Sequence, residues 1–338
     1  MSTTFLEIPR PAKQLALRVG QLYGSSRSLF LAEQIAAHPG LSVIVCCDMA
    51  DVEQLEQEIR FFSHEKPTVY RFPDLETLPY DQFSPHQDII SERIKCLANI
   101  SSASKGLLIL PVSTLLQKVA PSEFIHQRSL QLKIGDQIDP LQLREKLSHY
   151  GYHSVSQVEE HGEYSLRGAI MDLFPMGSSK PFRIEFFDDE VETIRSFEAE
   201  TQLSIEKVEA INLLPAQEYP LDEEGIRQFR LRFRENFAID PNTCPVYVDI
   251  SAGIASAGVE YYLPLFFEHL SSLIEYLPAN SQFLIDDAAQ QQAEVFVAQV
   301  QARYQSRRHN LEWPLLPPDE LYLESQALLH LEQAYPCI

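Results

Sequence analysis

The sequence is short of cysteine, glycine and positive charge. Five cysteines stand at 46, 47, 96, 244 and 337 among 338 residues. None forms a C-x-x-C pair, and Cys46 and Cys47 adjoin in an apolar run, so neither a zinc site nor a disulfide framework is supported. Reduced cysteines in a cytoplasmic protein are the expectation. Only 12 glycines are present, which excludes collagen-like and glycine-rich chains. Lysine and arginine total 27 against 48 acidic residues, a formal net charge of −21. Gripping a duplex requires clustered basic side chains. A chain this acidic repels DNA as a whole, which leaves open a basic partner surface or local arginine contacts. No apolar run approaches the ~18 residues of a membrane span. The first twenty residues carry no signal-peptide core.

Hydrophobic residues make up 45% of the chain, with 19 Phe and 14 Tyr, so global disorder is excluded. At roughly 150 residues per domain the length suits about two domains. The first part alternates helical and strand patterns. Ser28 to His38 has helical periodicity, and Pro39-Gly40 stops it. Leu41 to Cys47 is a buried-strand run, and Asp48 caps a helix over MADVEQLEQEIRFF. Thr68 to Phe72 predicts a strand, Asp88 to Ala103 a helix, and Gly106 to Pro111 a second buried strand. Apolar strands separated by amphipathic helices predict a parallel sheet. From about 126 to 213 the pattern changes to period-2 strands with one helix, Pro140 to Tyr150, as in a small α+β domain inserted into the chain. Strands are expected over Leu166 to Phe174 and Pro181 to Phe187, joined by the turn PMGSSKP. Beyond about 214 helices return: Glu223 to Phe237, Ala288 to Tyr304 after a strand at Gln282 to Ile285, and Asp319 to Tyr335 after the extended WPLLPP segment. The domain division expected is 1–125, 126–213 and 214–338. The chain stops two residues after Pro336 with no polar tail, as expected of a piece of something longer.

A phosphate loop needs glycines for backbone approach, a lysine for the phosphates and a Ser or Thr for magnesium. The segment Gln21-Leu22-Tyr23-Gly24-Ser25-Ser26-Arg27-Ser28 precedes the first helix but is degenerate. Gln21 and Ser26 replace the pattern glycines, Arg27 replaces the lysine, and only Ser28 fits. A Cβ at Ser26 penalises the left-handed backbone such loops use. A planar guanidinium does not substitute for an ammonium. Asp286 and Asp287, after the strand Phe283 to Ile285, have the outline of a metal-holding acidic box. They equally suit an ordinary helix start. No cofactor is expected, and no catalytic residue.

His161 lies near Glu159, Glu160 and Glu163, but no second spaced ligand pair supports a metal site there. Asp188-Asp189-Glu190 reads as a solvated hairpin turn. One strand carries more. In Pro181 to Phe187, Phe182, Ile184 and Phe186 share one face, and Arg183, Glu185 and Phe187 share the other. A Phe beside an Arg on the polar face has the composition of an interface hot spot. Arg167, on the neighbouring strand, could join them. Alternatively, Phe187 packs under the following turn and Arg183 pairs with a nearby acid.

The segments LPYDQFSPHQDIISERI (78–94), GEYSLRGAIMDLFP (162–175), FRIEFFDDEVETIRSF (182–197) and GVEYYLPLFF (258–267) together resemble the N-terminal part of the bacterial transcription-repair coupling factor (Mfd) family. Segments 166–175 and 182–197 are also similar to the corresponding domain of UvrB, the excision-repair helicase. The resemblance implies an α/β fold: a degenerate helicase-like parallel-sheet domain (UvrB 1A-like), an inserted α+β domain (UvrB domain 2-like), and a 1B-like portion. It implies UvrA, the damage-sensing ATPase, as partner, with Arg167, Arg183 and Phe187 as contacts. RNA polymerase and DNA would be engaged through parts of the longer protein absent here. A DNA-clamping hairpin, present in UvrB, does not fit the short region Tyr80 to Ile94. The leading expectation is a non-catalytic docking module that recruits UvrA. The competing one is an ATP-dependent DNA-handling enzyme built on the sheet and Asp286/Asp287; a regulatory scaffold is a third.

Overall fold

A computed structural model describes residues 16–338. In chain order the first elements are α1 (Ser26–Ala37), β1 (Leu41–Cys46), α2 (Met49–Phe62), β2 (Val69–Arg71), α3 (Gln87–Ile100), β3 (Gly106–Pro111), α4 (Val112–Leu115), β4 (Lys118–Val119) and α5 (Ser122–Gln127). Then come β5 (Leu130–Lys133), α6 (Pro140–His149), β6 (His153–Ser154), β7 (Glu163–Arg167), β8 (Ile170–Leu173), β9 (Phe182–Phe187), β10 (Glu190–Phe197), β11 (Ser204–Lys207) and β12 (Ala210–Leu213). The last are α7 (Glu223–Asn236), α8 (Pro245–Ser251), β13 (Ser271–Ser272), β14 (Gln282–Ile285), α9 (Ala289–Arg307), α10 (Pro318–Leu321) and α11 (Ala327–Ala334).

The fold is α/β, with a parallel sheet in the order β14-β1-β3-β2 and a six-stranded mixed sheet in the order β11-β10-β9-β8-β7-β6. β1 and β3 are buried along their whole length because both sheet faces are covered. Ile44, Cys46 and Ile109 face a layer containing Phe30 of α1 and Leu55 of α2. Val43, Val45 and Leu108 face the other layer, with Leu97 of α3 and Ala293 of α9. Asp48 caps α2 by accepting the Asp51 N–H at 2.9 Å, which fixes where strand ends and helix begins. Past β14 the sheet edge is covered by the last residues of the chain. Ile338 accepts from the Ile285 N–H and donates to Phe283 O, both at 2.9 Å.

The six-stranded sheet is antiparallel except for the β6–β7 pair. One face packs Met171, Ile184, Phe186 and Ile194 against Leu143 and Leu147 of α6, and Ile90 and Ile94 of α3 enter the same core. Leu166 to Phe174, expected as one strand, is instead a hairpin. Arg167 pairs with Ile170 across the two-residue turn Gly168-Ala169, and Gly168 sits at φ +63°. Such turns require a positive φ that glycine adopts at low cost. Phe187 and Glu190 likewise flank a tight turn, with Asp188 at φ +51°, as the acidic run suggested.

Asp319 to Tyr335 is not one helix. It breaks into α10 and α11 because the bend between them pairs with another backbone: Tyr322 bridges Gln117, and the Leu323 N–H donates to Leu116 O at 2.8 Å. Between β2 and α3 no strand forms among the described residues. No helix among them is long and apolar enough to cross a membrane.

Candidate functional site: a polar sheet face and a closed phosphate loop

Strand register assembles the first site. Ser165 stands opposite Asp172, Asp172 opposite Arg183, and Ile170 opposite Glu185. Alternation therefore puts Arg167, Ile170, Asp172, Arg183, Glu185 and Phe187 on the face turned away from the core. Asp172 lies between the arginines with a side chain only 1% exposed. Its Oδ2 accepts from Arg167 Nη2 at 2.5 Å and from Arg183 Nη2 at 3.0 Å, and its Oδ1 accepts from Arg183 Nε at 2.7 Å. Two cations share one carboxylate, which leaves the trio with a formal net positive charge. The bond to Asp172 holds the Arg183 guanidinium above its usual pKa, against the smaller opposing effect of burial. Arg183 also lies over the Phe197 ring, 5.1 Å from its centre. Its rotamer is thus fixed from two sides, and little entropy is left to lose on binding.

Phe187 does not pack under the turn; it is 69% exposed. Ile170, on the adjacent strand β8, is also exposed. Arg183 does pair with an acid, so one half of the blander reading of this face is what the structure shows. Sequence reasoning missed Asp172 and Ile170. The signal that could have found them was Gly168: a turn there sets Ile170 and Asp172, two apart, on the same face as Arg167.

The loop before α1 is closed by its own side chains. Ser26 is the first residue of α1, and its Oγ donates to Tyr23 O at 2.7 Å. The left-handed residues are Gln21 (φ +64°) and Gly24 (φ +55°), so the Cβ penalty expected at Ser26 falls elsewhere. Arg27 donates to both carboxylate oxygens of Asp51 at 3.1 Å and lies 2.7 Å from Asp286 Oδ2. Burial works against its charge, but the bond to Asp51 and the charges of Asp51 and Asp286 outweigh it and raise its pKa. The buried Ser28 hydroxyl donates to Glu58. Asp286 further accepts the Ala288 N–H at 2.8 Å ahead of α9, the helix-start role the sequence had allowed. Asp287 lies beside it on the wall of the same hollow. Cys47, Asp51 and Asp286 could bring three donor atoms to one ion. The guanidinium already engages both carboxylates, however, and burial with the Asp286 charge pushes the Cys47 thiol up to about 11. A thiol so held is a poor metal ligand.

His161 is committed too. Its Nδ1 lies 2.8 Å from Asp88 Oδ1, its Nε2 lies 2.8 Å from Ser178 O, and the ring stacks on Phe174. Glu163 accepts the N–H groups of Glu159 and Glu160. The four residues form a braced loop.

Residues 130–219 match the family model described as the UvrB interaction domain. The mixed sheet and its arginine face thus lie in a domain of the UvrB type, carried by an α/β protein. The chain is 42% identical over 319 residues to the transcription-repair-coupling factor of Escherichia coli (strain K12), covering 94% of this chain and 28% of that protein. It is 39% identical over 340 residues to that of Haemophilus influenzae, covering 100% of this chain and 30% of that protein. It is 31% identical over 300 residues to that of Rickettsia bellii, covering 86% and 26%. Over most of its own length the chain is thus similar to transcription-repair coupling factors, and its middle part is of the UvrB interaction type. The chain spans less than a third of the length of these relatives.

Proposed function

We propose that this chain is a non-catalytic docking module that recruits UvrA in transcription-coupled nucleotide excision repair. The observation that carries the reading is the arginine pair fixed on Asp172 beside an exposed Phe187. Fixed cations give register and partner choice, while an exposed aromatic gives apolar anchoring. On this reading the partner surface is acidic around a small apolar pocket. The division into 1–125, 126–213 and 214–338 goes with it: the first and last parts hold the middle one in position. RNA polymerase contact, DNA translocation and ATP hydrolysis then belong to parts of the longer protein outside this chain, which works in the cytoplasm. The closed loop supports this view, since Arg27, Ser28 and Asp286 are spent on one another and on Asp51 and Glu58.

Titration calorimetry against UvrA tests the proposal. Phe187→Ala and Arg167→Glu are each expected to weaken binding by ~2 kcal/mol or more, the scale of a hot spot. Phe187→Ala touches neither the core nor the Asp172 ion pairs, so its melting temperature should stay near that of the parent; Arg167→Glu sets a carboxylate against buried Asp172, so its binding is measured below its own, lower melting temperature. Parent-like affinity in both variants would show that UvrA docks elsewhere. Magnesium-ATP titrated into the chain should give no heat, and saturable binding lost in Arg27→Ala would favour the enzyme reading.

A further inference from the structure

A cavity of about 300 Å³ opens between α3, the 216–219 connection after β12, the 255–263 turn and the bend at Leu321-Tyr322. Ile90, Leu263 and the rings of Tyr219, Tyr261 and Tyr322 line it. Its charged groups are unequally matched. Arg93 is spent: Nε donates to Glu218 Oε1 at 2.8 Å, Nη1 to Pro73 O at 3.0 Å and Gln117 Oε1 at 3.2 Å, and the guanidinium lies over Phe72. Lys118 Nζ donates to Asp319 O at 2.6 Å. Glu260 has only the Ser84 hydroxyl, 3.0 Å from Oε2, as its side-chain partner. No ion pair reaches it among the described residues. Solvent enters through the mouth, yet crowding by protein atoms pushes the Glu260 carboxyl up to about 7; the nearby Glu218 charge adds to this, while its own backbone N–H, Ser84 and Arg93 oppose it.

A carboxylate with no ion-pair partner among the described residues, beside a hollow lined by three tyrosines, lacks a cation of its own. The planar fork of an amidinium or guanidinium matches a carboxylate, and an apolar body would cover the aromatic wall. We propose that this cavity binds a small organic cation of that type, with Glu260 as its counter-ion. The volume lies at the lower end for ligand sites, which limits the guest to about one ring or one arginine side chain.

Calorimetry or ligand-observed NMR on the 338-residue chain tests this, with benzamidine as a free cation and acetyl-Gly-Arg-Gly-amide as a peptide arginine. Binding of either supports the site, and the tighter of the two identifies its source. Glu260→Gln keeps the shape and is expected to weaken binding at least tenfold. Ala257→Trp, at the exposed rim, should block entry to a similar degree without disturbing the core. Affinity should rise from pH 6 to pH 8 as Glu260 ionises. His153 also lines the cavity, so the rise must persist in His153→Gln. Arg93, Glu218 and Lys118 also line the cavity, and the phenols of Tyr219, Tyr261 and Tyr322 are raised by burial. No binding of either probe, or parent-like binding by Glu260→Gln, would overturn the proposal.

Discussion

Asp172 organises the arginine face, although it contributes almost no surface of its own. Replacing it with alanine leaves Arg167 and Arg183 facing each other without their shared anion. Breaking a buried ion pair from one side costs ~3–5 kcal/mol; solvent reaches Arg167, so about 3 kcal/mol is expected here. Urea unfolding of Asp172→Ala measures this directly, and a loss within ±0.5 kcal/mol would show the arginines to be held otherwise. Glu260 gives a second expectation, in pH. Its carboxyl titrates near 7 in the fold, up from an ordinary 4.5. Between those values the folded chain keeps a proton that the unfolded chain has released. Stability therefore falls as pH rises through that window and levels off above 7. At 1.36 kcal/mol per pKa unit the full effect would be ~3 kcal/mol, reduced to about 1–2 because solvent reaches the group. Glu260→Gln should remove this slope, as read from urea midpoints at pH 5 and pH 8. Equal slopes in parent and variant would contradict a carboxyl held protonated.

Gly168 decides an element. Its φ of +63° closes the β7–β8 hairpin, and valine there would carry a β-branched Cβ into the left-handed region at about 1–2 kcal/mol. Gly168→Val is expected to lower the melting temperature and, by shifting the turn, to detach Ile170 from its position opposite Arg167. Cross-strand amide contacts in NMR would report that register. The same glycine marks where the sequence was hard to read. Runs such as Leu41 to Cys46 announce themselves, because a strand buried on both faces has no polar positions to blur it. Asp48, Asp139 and Asp222 each cap the helix that follows them. A turn of one glycine and one alanine inside Leu166 to Phe174 breaks no pattern, so two strands merged into one. The break between α10 and α11 lay deeper still: it is imposed by the backbone of Leu116 and Gln117, some 200 residues earlier in the chain. Likewise, Arg27 looked like a failed lysine, and only the fold brings Asp51 and Asp286 to it.

At the scale of the molecule, α3 joins the two sheets. Leu97 and Ile100 enter the core of the parallel sheet, while Ile90 and Ile94 enter that of the mixed sheet. Between them Arg93, 2% exposed, fastens α3 to Glu218 in the connection that leaves the mixed-sheet region. A helix shared by two cores couples their unfolding, since neither can open without stripping one face of it. The parent chain should therefore unfold in a single transition, with far-UV circular dichroism and the fluorescence of Trp313 coinciding. Arg93→Ala removes the clamp and strands Glu218 without its cation, at ~3–5 kcal/mol. Such a loss falls on the junction and not within either core. The two signals are then expected to separate, because Trp313 reports the aromatic cluster around Phe229 and Phe233 and most of the dichroism comes from elsewhere. If the transitions stay superimposed in Arg93→Ala and merely shift together, the coupling runs through the apolar faces of α3, and the buried arginine serves only to satisfy Glu218.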